Sequence, residues 1–412
     1  MWQKNSPTFR FSIPHVLIQI LTIPIFMISS AEALDIEYSG YVEPEWRHFP
    51  HDGPTPSHEH DFGSIAGEVE LAFFSASGHH TVIIKPFARV DEHDHERSHA
   101  DLREAKYQYV NGDWEIVAGI DKVFWGVTEF QHLVDIINQT DNVESADGEQ
   151  KLGQPMLRVS LARDWGTLTG FYLPYFRIRQ FPDPLTGRPT TGITVRDEKA
   201  FFESKDKRFN PDAAVRYTQT IDVFDIGLSY FKGTARTPVL AFGPQTYDGV
   251  SVVPRYDLIA QAGIDVQATI GPWLLKFEGT RRHQRNQWNT QATGGFEYTM
   301  YNIFETGTDL GIVAEYMYDQ RRLDAPQPFN DDIGFGLRWT ANDTQSTSLL
   351  LGGLYDLETH STAVSLEAER RLGASFKAQL EVRLQEKAGT GDTLAIALKD
   401  EDMVRLRLAY YF

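Results

Sequence analysis

The last ten residues, Met403 to Phe412 (MVRLRLAYYF), alternate without a break. Val404, Leu406, Leu408, Tyr410 and Phe412 fall on one face; Arg405, Arg407, Ala409 and Tyr411 fall on the other. A period of two is that of a β-strand with one dry and one wet face. The pattern recurs along the chain. Phe376, Ala378, Leu380, Val382 and Leu384 oppose Lys377, Gln379, Glu381 and Arg383, and Ile333, Phe335, Leu337 and Trp339 oppose Asp332, Gly334, Gly336 and Arg338. Leu258, Ala260, Ala262, Ile264 and Val266 oppose Asp257, Gln261, Asp265 and Gln267, and Ile65, Gly67, Val69, Leu71 and Phe73 oppose Glu68 and Glu70. The chain is therefore built of many half-wet strands.

Residues 1–33 read differently. Lys4 and Arg10 precede a mostly apolar run from Phe11 to Ile28, which ends in Ser29-Ser30-Ala31-Glu32-Ala33. A positive start, an apolar middle and an A-x-A end make an export signal cleaved after Ala33. The alternative is a retained anchor, which Pro14 and Pro24 interrupt. Loss of Lys4, Arg10 and Glu32 takes the net charge from −18 to −19. After Ala33 nothing is apolar for the ~20 residues a membrane helix needs, whereas a barrel strand needs only ~9–11. So acidic a chain offers no basic surface for nucleic acid. With no cysteine, disulfide scaffolds, thiolate metal sites and thiol catalysis are excluded.

Eighteen segments carry the strand pattern: near 34–46, 62–75, 80–91, 100–110, 113–124, 155–163, 167–178, 210–219, 223–232, 256–269, 273–284, 291–304, 308–319, 331–341, 345–357, 361–371, 374–386 and 401–412. Every even-numbered connection is short. The long ones (47–61, 91–99, 125–154, 179–209, 233–255, 320–330 and 387–400) are all odd-numbered, and two odd ones, near 285–290 and 358–360, are short. Short turns on one rim and long loops on the other are the arrangement of a transmembrane antiparallel β-barrel, periplasmic turns below and extracellular loops above. The expectation is an all-β barrel of about eighteen strands over 34–412, sixteen if one hairpin is misread. A periplasmic multi-domain β protein would have no reason to keep this phase.

A barrel of that size has room for an aqueous channel. The wet faces place Lys85, Arg89, Arg158, Arg216, Lys276, Arg282, Arg338, Lys377, Arg383, Arg405 and Arg407 in the lumen, against Glu68, Glu70, Glu115, Asp121, Asp265, Glu278, Glu315, Glu367, Glu369 and Glu381. The signs are nearly balanced, where a ring of one sign would mean ion selectivity. Arg338, Arg383, Arg405 and Arg407 enrich the last strands and offer a path for carboxylate or phosphate groups. The preferred reading is that they pair with Glu367, Glu369 and Glu381 across strands. The third long loop, 125–154, begins WGVTEFQHLVDIINQTD and carries a helix-like stretch from Thr128 to Ile137. Trp125, Glu129, Asp135 and Asp141 are its candidates for lining a constriction; packing on the rim is the alternative.

The terminal strand ending on Phe412 resembles the signal by which outer-membrane barrels are recognised by their assembly machinery. The export signal, strand count, W-G-containing third loop and Phe412 together resemble porin-like outer-membrane families, including the eighteen-stranded alginate-export channels. That resemblance implies passive diffusion of small hydrophilic solutes through a barrel set in outer-membrane lipid. The alginate-type pore is lined strongly with arginine. The lumen here is mixed, so the polyanionic substrate does not follow.

Nine of the thirteen histidines lie between His48 and His99. His58 and His60 in the first long loop, and His93 and His95 in the second, stand two residues apart among carboxylates, a ligand set suited to Zn²⁺, Cu²⁺ or Ni²⁺. A histidine-biased solvated loop reads the same way, and no cofactor is assigned. An extracellular adhesive or receptor barrel acting through these loops is the alternative function. A hydrolase is less favoured: there is no G-x-S-x-G or H-E-x-x-H, and the adjacent His360 and Ser361 point to opposite faces of a strand. No catalytic residue is expected.

Overall fold

The computed structural model describes residues 34–145, 148–242, 251–325 and 329–412. The export segment read from residues 1–33 lies outside the described residues. Eighteen strands form the wall: β1 Leu34–His48, β2 Asp61–Ser75, β3 His80–Asp91, β4 His99–Asn111, β5 Trp114–Asp121, β6 Gln154–Arg163, β7 Gly166–Leu173, β8 Asp212–Ile221 and β9 Phe224–Thr234 come first. Then follow β10 Leu258–Ile270, β11 Trp273–Gln284, β12 Gln287–Ile303, β13 Thr308–Asp319, β14 Asp331–Thr340, β15 Ser348–Asp356, β16 Thr362–Leu372, β17 Phe376–Lys387 and β18 Met403–Tyr411.

Each strand pairs antiparallel with the next, and β18 returns to β1, with Tyr41 opposite Tyr411 and His48 opposite Val404. Closure leaves the wall no free edge, so its ladder amides and carbonyls are satisfied from within, as hydrocarbon surroundings require. All eighteen expected segments are strands, in the expected alternation of short turns and long loops. Two boundaries differ by four residues or more. β7 stops at Leu173 because the chain leaves the wall and tucks Phe176 against Tyr256, with ring centroids 4.9 Å apart. β12 starts early, at Gln287, because Arg285 and Asn286 turn with φ of 50° and 61° and continue the ladder. Positive φ at both central residues is the tight hairpin geometry that matches strand twist.

The alternation resolves into two surfaces. Leu406, Leu408, Tyr410 and Phe412 point outward and are exposed, as are Leu275, Phe277, Ile333 and Phe335. Near the short-turn rim the outward face turns aromatic. Trp165 stacks on Tyr217, Trp273 meets Tyr298 at 4.6 Å, and Phe376 meets Tyr410 at 5.1 Å. The C-terminus is fastened there: Gly40 and Phe412 exchange both backbone hydrogen bonds, at 3.0 and 3.1 Å. Inward residues register in rows across strands. One row runs Arg338, Leu350, Glu367, Glu381, Arg405 and Arg47, from β14 round to β1.

Two loops do more than join strands. Loop 3 (122–153) enters the lumen. Loop 4 (174–211) lies over the long-loop rim, where short strands at Thr194–Val195 and Phe201–Phe202 pair with Ser251–Tyr256 of the next long loop. The residues from Thr128 to Ile137 are not helical, contrary to their sequence pattern. Their amides donate to carboxylates of the wall, which removes the i−4 hydrogen bonds a helix needs.

Candidate functional site

Loop 3 is held on two sides. Its first half carries Trp125, Val134, Ile136 and Ile137, all buried, which pack on the inward Phe171, Leu173, Phe231 and Ile259 of β7, β9 and β10. Burying such a side chain stabilises by roughly 1.5–3 kcal/mol, so this patch is the adhesive face. Glu278 of β11, fully buried, accepts hydrogen bonds from Val127 N (2.7 Å), Thr128 N (3.1 Å), Thr128 Oγ1 (2.7 Å) and Val134 N (3.1 Å). Glu315 of β13 accepts from Glu129 N (2.8 Å) and Phe130 N (3.0 Å). Two glycines make the fit possible. Gly126 has φ +133° and sits where a Cβ would lie 2.8 Å from Glu278 Oε1. A Cβ on Gly334 would lie 2.5 Å from the ring of Phe130, which is thereby seated on β14.

The second half of loop 3 is tied to β3 and β4 by charge. Arg103 donates to Asp141 at 2.8 Å, Arg89 donates to Glu144 at 3.0 Å, and Arg97 donates to the carbonyl of Val143 at 2.9 Å. Burial alone would raise the Glu144 carboxyl; Arg89, Arg97 and Arg103 overcome it and hold it at about 2. The sign follows directly. This tether is fully present above the ordinary carboxyl value of 4.5 and is lost as pH falls toward 2. Pepsin is expected to leave loop 3 intact at pH 4.5 and to cut it progressively toward pH 2, while Glu144→Gln is cut at pH 4.5. Equal resistance of both proteins at every pH would contradict the tether.

Loop 3 thus covers β6 to β13 on one side, with the Phe130 ring reaching on to Gly334 of β14 and Gly352 of β15, and β3 to β4 on the other. The wall from β14 to β17 faces the remaining lumen. There Glu129 projects from the loop, a quarter exposed, and accepts from Arg338 at 2.7 Å and Lys276 at 3.5 Å. Arg338 also meets Glu297 at 3.5 Å. Burial opposes the charge on Glu129, and Arg338 and Lys276 more than offset it, so the carboxyl lies below its ordinary range.

The residues singled out from sequence divide accordingly. Arg338 borders the open lumen, about a third exposed. Arg383 is partly exposed and pairs with Glu381 at 2.6 Å. Lys85 joins Glu70 at 2.6 Å and Glu104 at 3.1 Å, and Glu68 and Arg407 are half-buried in the wall. Arg405, bound to Glu381, and Arg89 are buried beneath the loops and do not face open lumen. The cross-strand pairing preferred from sequence is present at Arg405 on Glu381, whereas Arg383 meets Glu381 within its own strand; Lys377 adds a further cross-strand pair on Glu369 at 2.6 Å. Of the loop 3 candidates, Glu129 alone reaches the passage. Trp125 is an anchor, edge-on to Phe171 at 5.4 Å. Asp135 braces the loop internally through Lys151 at 3.0 Å, and Asp141 is a tether.

The loop histidines are turned to separate partners. His58 Nδ1 accepts from Thr55 N, His60 donates to the Phe49 carbonyl at 2.7 Å, His93 lies edge-on to Phe62, and His95 is exposed. Among the described residues no three His, Asp or Glu side chains are grouped to hold a metal ion. Sequence reading missed Glu278 and Glu315 as anchors, though it placed both in the lumen, and it missed Arg97, Arg103 and Arg188 altogether.

No family model matches the chain, and no curated protein matches it in sequence. Solved structures do. OmpT, an outer membrane protein of Vibrio cholerae in its trimer form, aligns over 92% of this chain and 100% of its own, with a TM-score of 0.48 and 10% identity. A mutant of the Rh. blastica porin aligns over the same 92% and 100%, with a TM-score of 0.43 and 10% identity. On its own strand pairing, the chain is a closed eighteen-stranded antiparallel β-barrel.

Proposed function

We propose that this chain is an outer-membrane channel for passive diffusion of small hydrophilic solutes, with no catalytic residue. The observation that carries this reading is the uncovered inner wall from β14 to β17, where half-exposed charged side chains face the lumen beside an otherwise packed loop. A barrel serving only as a surface anchor gains nothing from leaving such a wall wet. The outward apolar surface fits a lipid environment, and its aromatic rim fits a membrane–water interface. The strand ending at Phe412 then serves as the segment read by the barrel-assembly machinery during insertion.

An acid and a base in direct contact at the edge of the open lumen orient a dipolar solute without excluding either sign of ion. Glu129, bound by Arg338, is that pair. Neutralising the acid leaves Arg338 and Lys276 with Glu297 alone, a net positive charge beside the lumen, so Glu129→Gln is expected to move the reversal potential in a salt gradient toward anion preference. Arg338→Gln is expected to move it the opposite way. Identical reversal potentials in wild type and both variants would remove these residues from the passage.

A further inference from the structure

Loop 4 leaves the wall at β7 and returns at β8, yet its middle lies across the ring against the rim of β18 and β1. The crossing is made by residues 182–190. Asp183 N donates to Asp94 at 3.3 Å, and Ser57 Oγ donates to the Leu185 carbonyl at 2.6 Å. The far end is fixed mainly at Arg188, with Thr190 N adding a hydrogen bond to Glu401 at 3.3 Å. Arg188 is fully buried; its Nε donates to Glu401 at 3.0 Å, and its terminal nitrogens donate to the carbonyls of His51 (2.9 Å) and Asp400 (3.0 Å). The guanidinium lies over the Phe49 ring, 4.4 Å from its centroid. Its backbone carbonyl accepts from Arg47 of the wall at 2.6 Å. One residue of loop 4 thereby ties together loop 1 (49–60), loop 9 (388–402) and β1.

Beneath this crossing the lumen is nearly filled. Arg47, Glu144, Pro182, Arg188, Arg383 and Arg405 border a cavity of about 40 Å³, enough for no more than a few water molecules. The packing therefore closes the sector of the mouth over β18, β1 and the long-loop end of β17, while the rest of the wall from β14 to β17 stays clear of loop 4. We propose that residues 182–190 are a lid, latched by Arg188 on Glu401, whose release opens this second sector of the lumen; the proposal rests on the channel reading. The latch suits a reversible device. A buried ion pair contributes little net stability because both partners recover hydration when they separate. The covered wall is itself polar and charged, so it can be wetted once the lid lifts.

The chain has no cysteine, so an engineered pair reports on the lid alone. A Cβ at Gly187 would lie 2.7 Å from Asp94 Cγ, close enough for a bridge between cysteines at the two positions. Single-channel conductance would be recorded in planar bilayers for wild type, Arg188→Ala, Glu401→Gln, and the triple variant Asp94→Cys/Gly187→Cys/Arg188→Ala. Arg188→Ala is expected to raise the conductance about twofold, since an ion pair with both members buried is lost. Oxidising the triple variant should return it to the wild-type level, and reduction should release it again. If Arg188→Ala does not fold, Glu401→Gln carries the same expectation. Wild-type conductance in both latch variants, with no effect of the bridge, would overturn the lid and leave the channel reading standing. Absence of conductance in every protein would overturn the channel reading and the lid with it.

Discussion

Replacing Glu278 by alanine is expected to raise the conductance of the barrel severalfold without unfolding it. The carboxylate is the acceptor for three amides and one hydroxyl of loop 3, and it is fully buried. Without it those donors are stranded, at roughly 1–3 kcal/mol each. Together they match what the apolar patch of Trp125, Val134, Ile136 and Ile137 supplies, so the loop relieves them by leaving the wall for water. The strand ladders on either side of Glu278 do not involve its side chain, and the closed barrel persists. Glu278→Gln, which keeps one acceptor oxygen, should give a smaller rise. Planar-bilayer conductance measures both; an unchanged value for the alanine variant would show that the apolar face, Glu315 and the charged tethers hold loop 3 without Glu278.

The largest loss of stability is expected from Arg97→Met. Arg97 is buried and meets Glu45 at 2.8 Å and Asp91 at 3.0 Å while also holding the Val143 carbonyl of loop 3. Arg47 and Arg89 share those two acids, with Arg47 to Asp91 at 2.9 Å and Arg89 to Glu45 at 3.5 Å. Arg89 also holds the buried Glu144 at 3.0 Å, so removing one cation leaves three buried acids against two arginines. Breaking a buried pair from one side costs about 3–5 kcal/mol. Urea unfolding of the barrel in lipid vesicles should show that loss. A double change, Arg97→Met with Glu45→Gln, should recover part of it by removing the stranded charge. A single variant as stable as wild type would mean that Arg47 and Arg89 neutralise the acids unaided.

The wall was legible in the sequence because strand alternation is local. Val404 to Phe412 announce their two faces within nine residues, and the short turns keep phase from one hairpin to the next. The interior was legible only in part. Sequence spacing puts Glu278 and Glu315 on the wet face, but it does not say that their oxygens meet the amides of residues 127–134, more than a hundred positions away. The same distance explains the helix misreading. Leu133, Val134, Ile136 and Ile137 have helical spacing, and their partners are inward wall residues of distant strands. Arg188 lay in a long loop with no pattern around it; its role depends on Phe49, His51 and Glu401 converging from two other loops. The histidine-rich stretches show the converse. Local composition suggested a shared ligand set, while the fold turns His58, His60 and His93 to separate partners and leaves His95 exposed.

The mixed charge of the lumen also has a structural explanation. The arginines of the last strands were candidates for a polyanion path, but Arg405 lies beneath the loops on Glu381, and Arg383 is engaged by the same carboxylate. Glu129 with Arg338, set between loop 3 and β14, is an acid–base pair at the open lumen, and on the proposed channel reading it favours small dipolar solutes over a long polyanion.

The central claim is that solute passes along the β14–β17 wall and not on the side where loop 3 is packed. Single cysteines test it directly, because the wild-type chain has none. Ser365 of β16 registers with Gly352 and Arg383 on the inward face of the uncovered wall; Ser229 of β9 registers with Arg216 beneath loop 3. Recording in a planar bilayer while a charged thiol reagent is added should show Ser365→Cys stepping down in conductance and Ser229→Cys unaffected. Block at Ser229→Cys with none at Ser365→Cys would place the passage on the other side of loop 3, and a folded barrel that conducts no current would contradict the account outright.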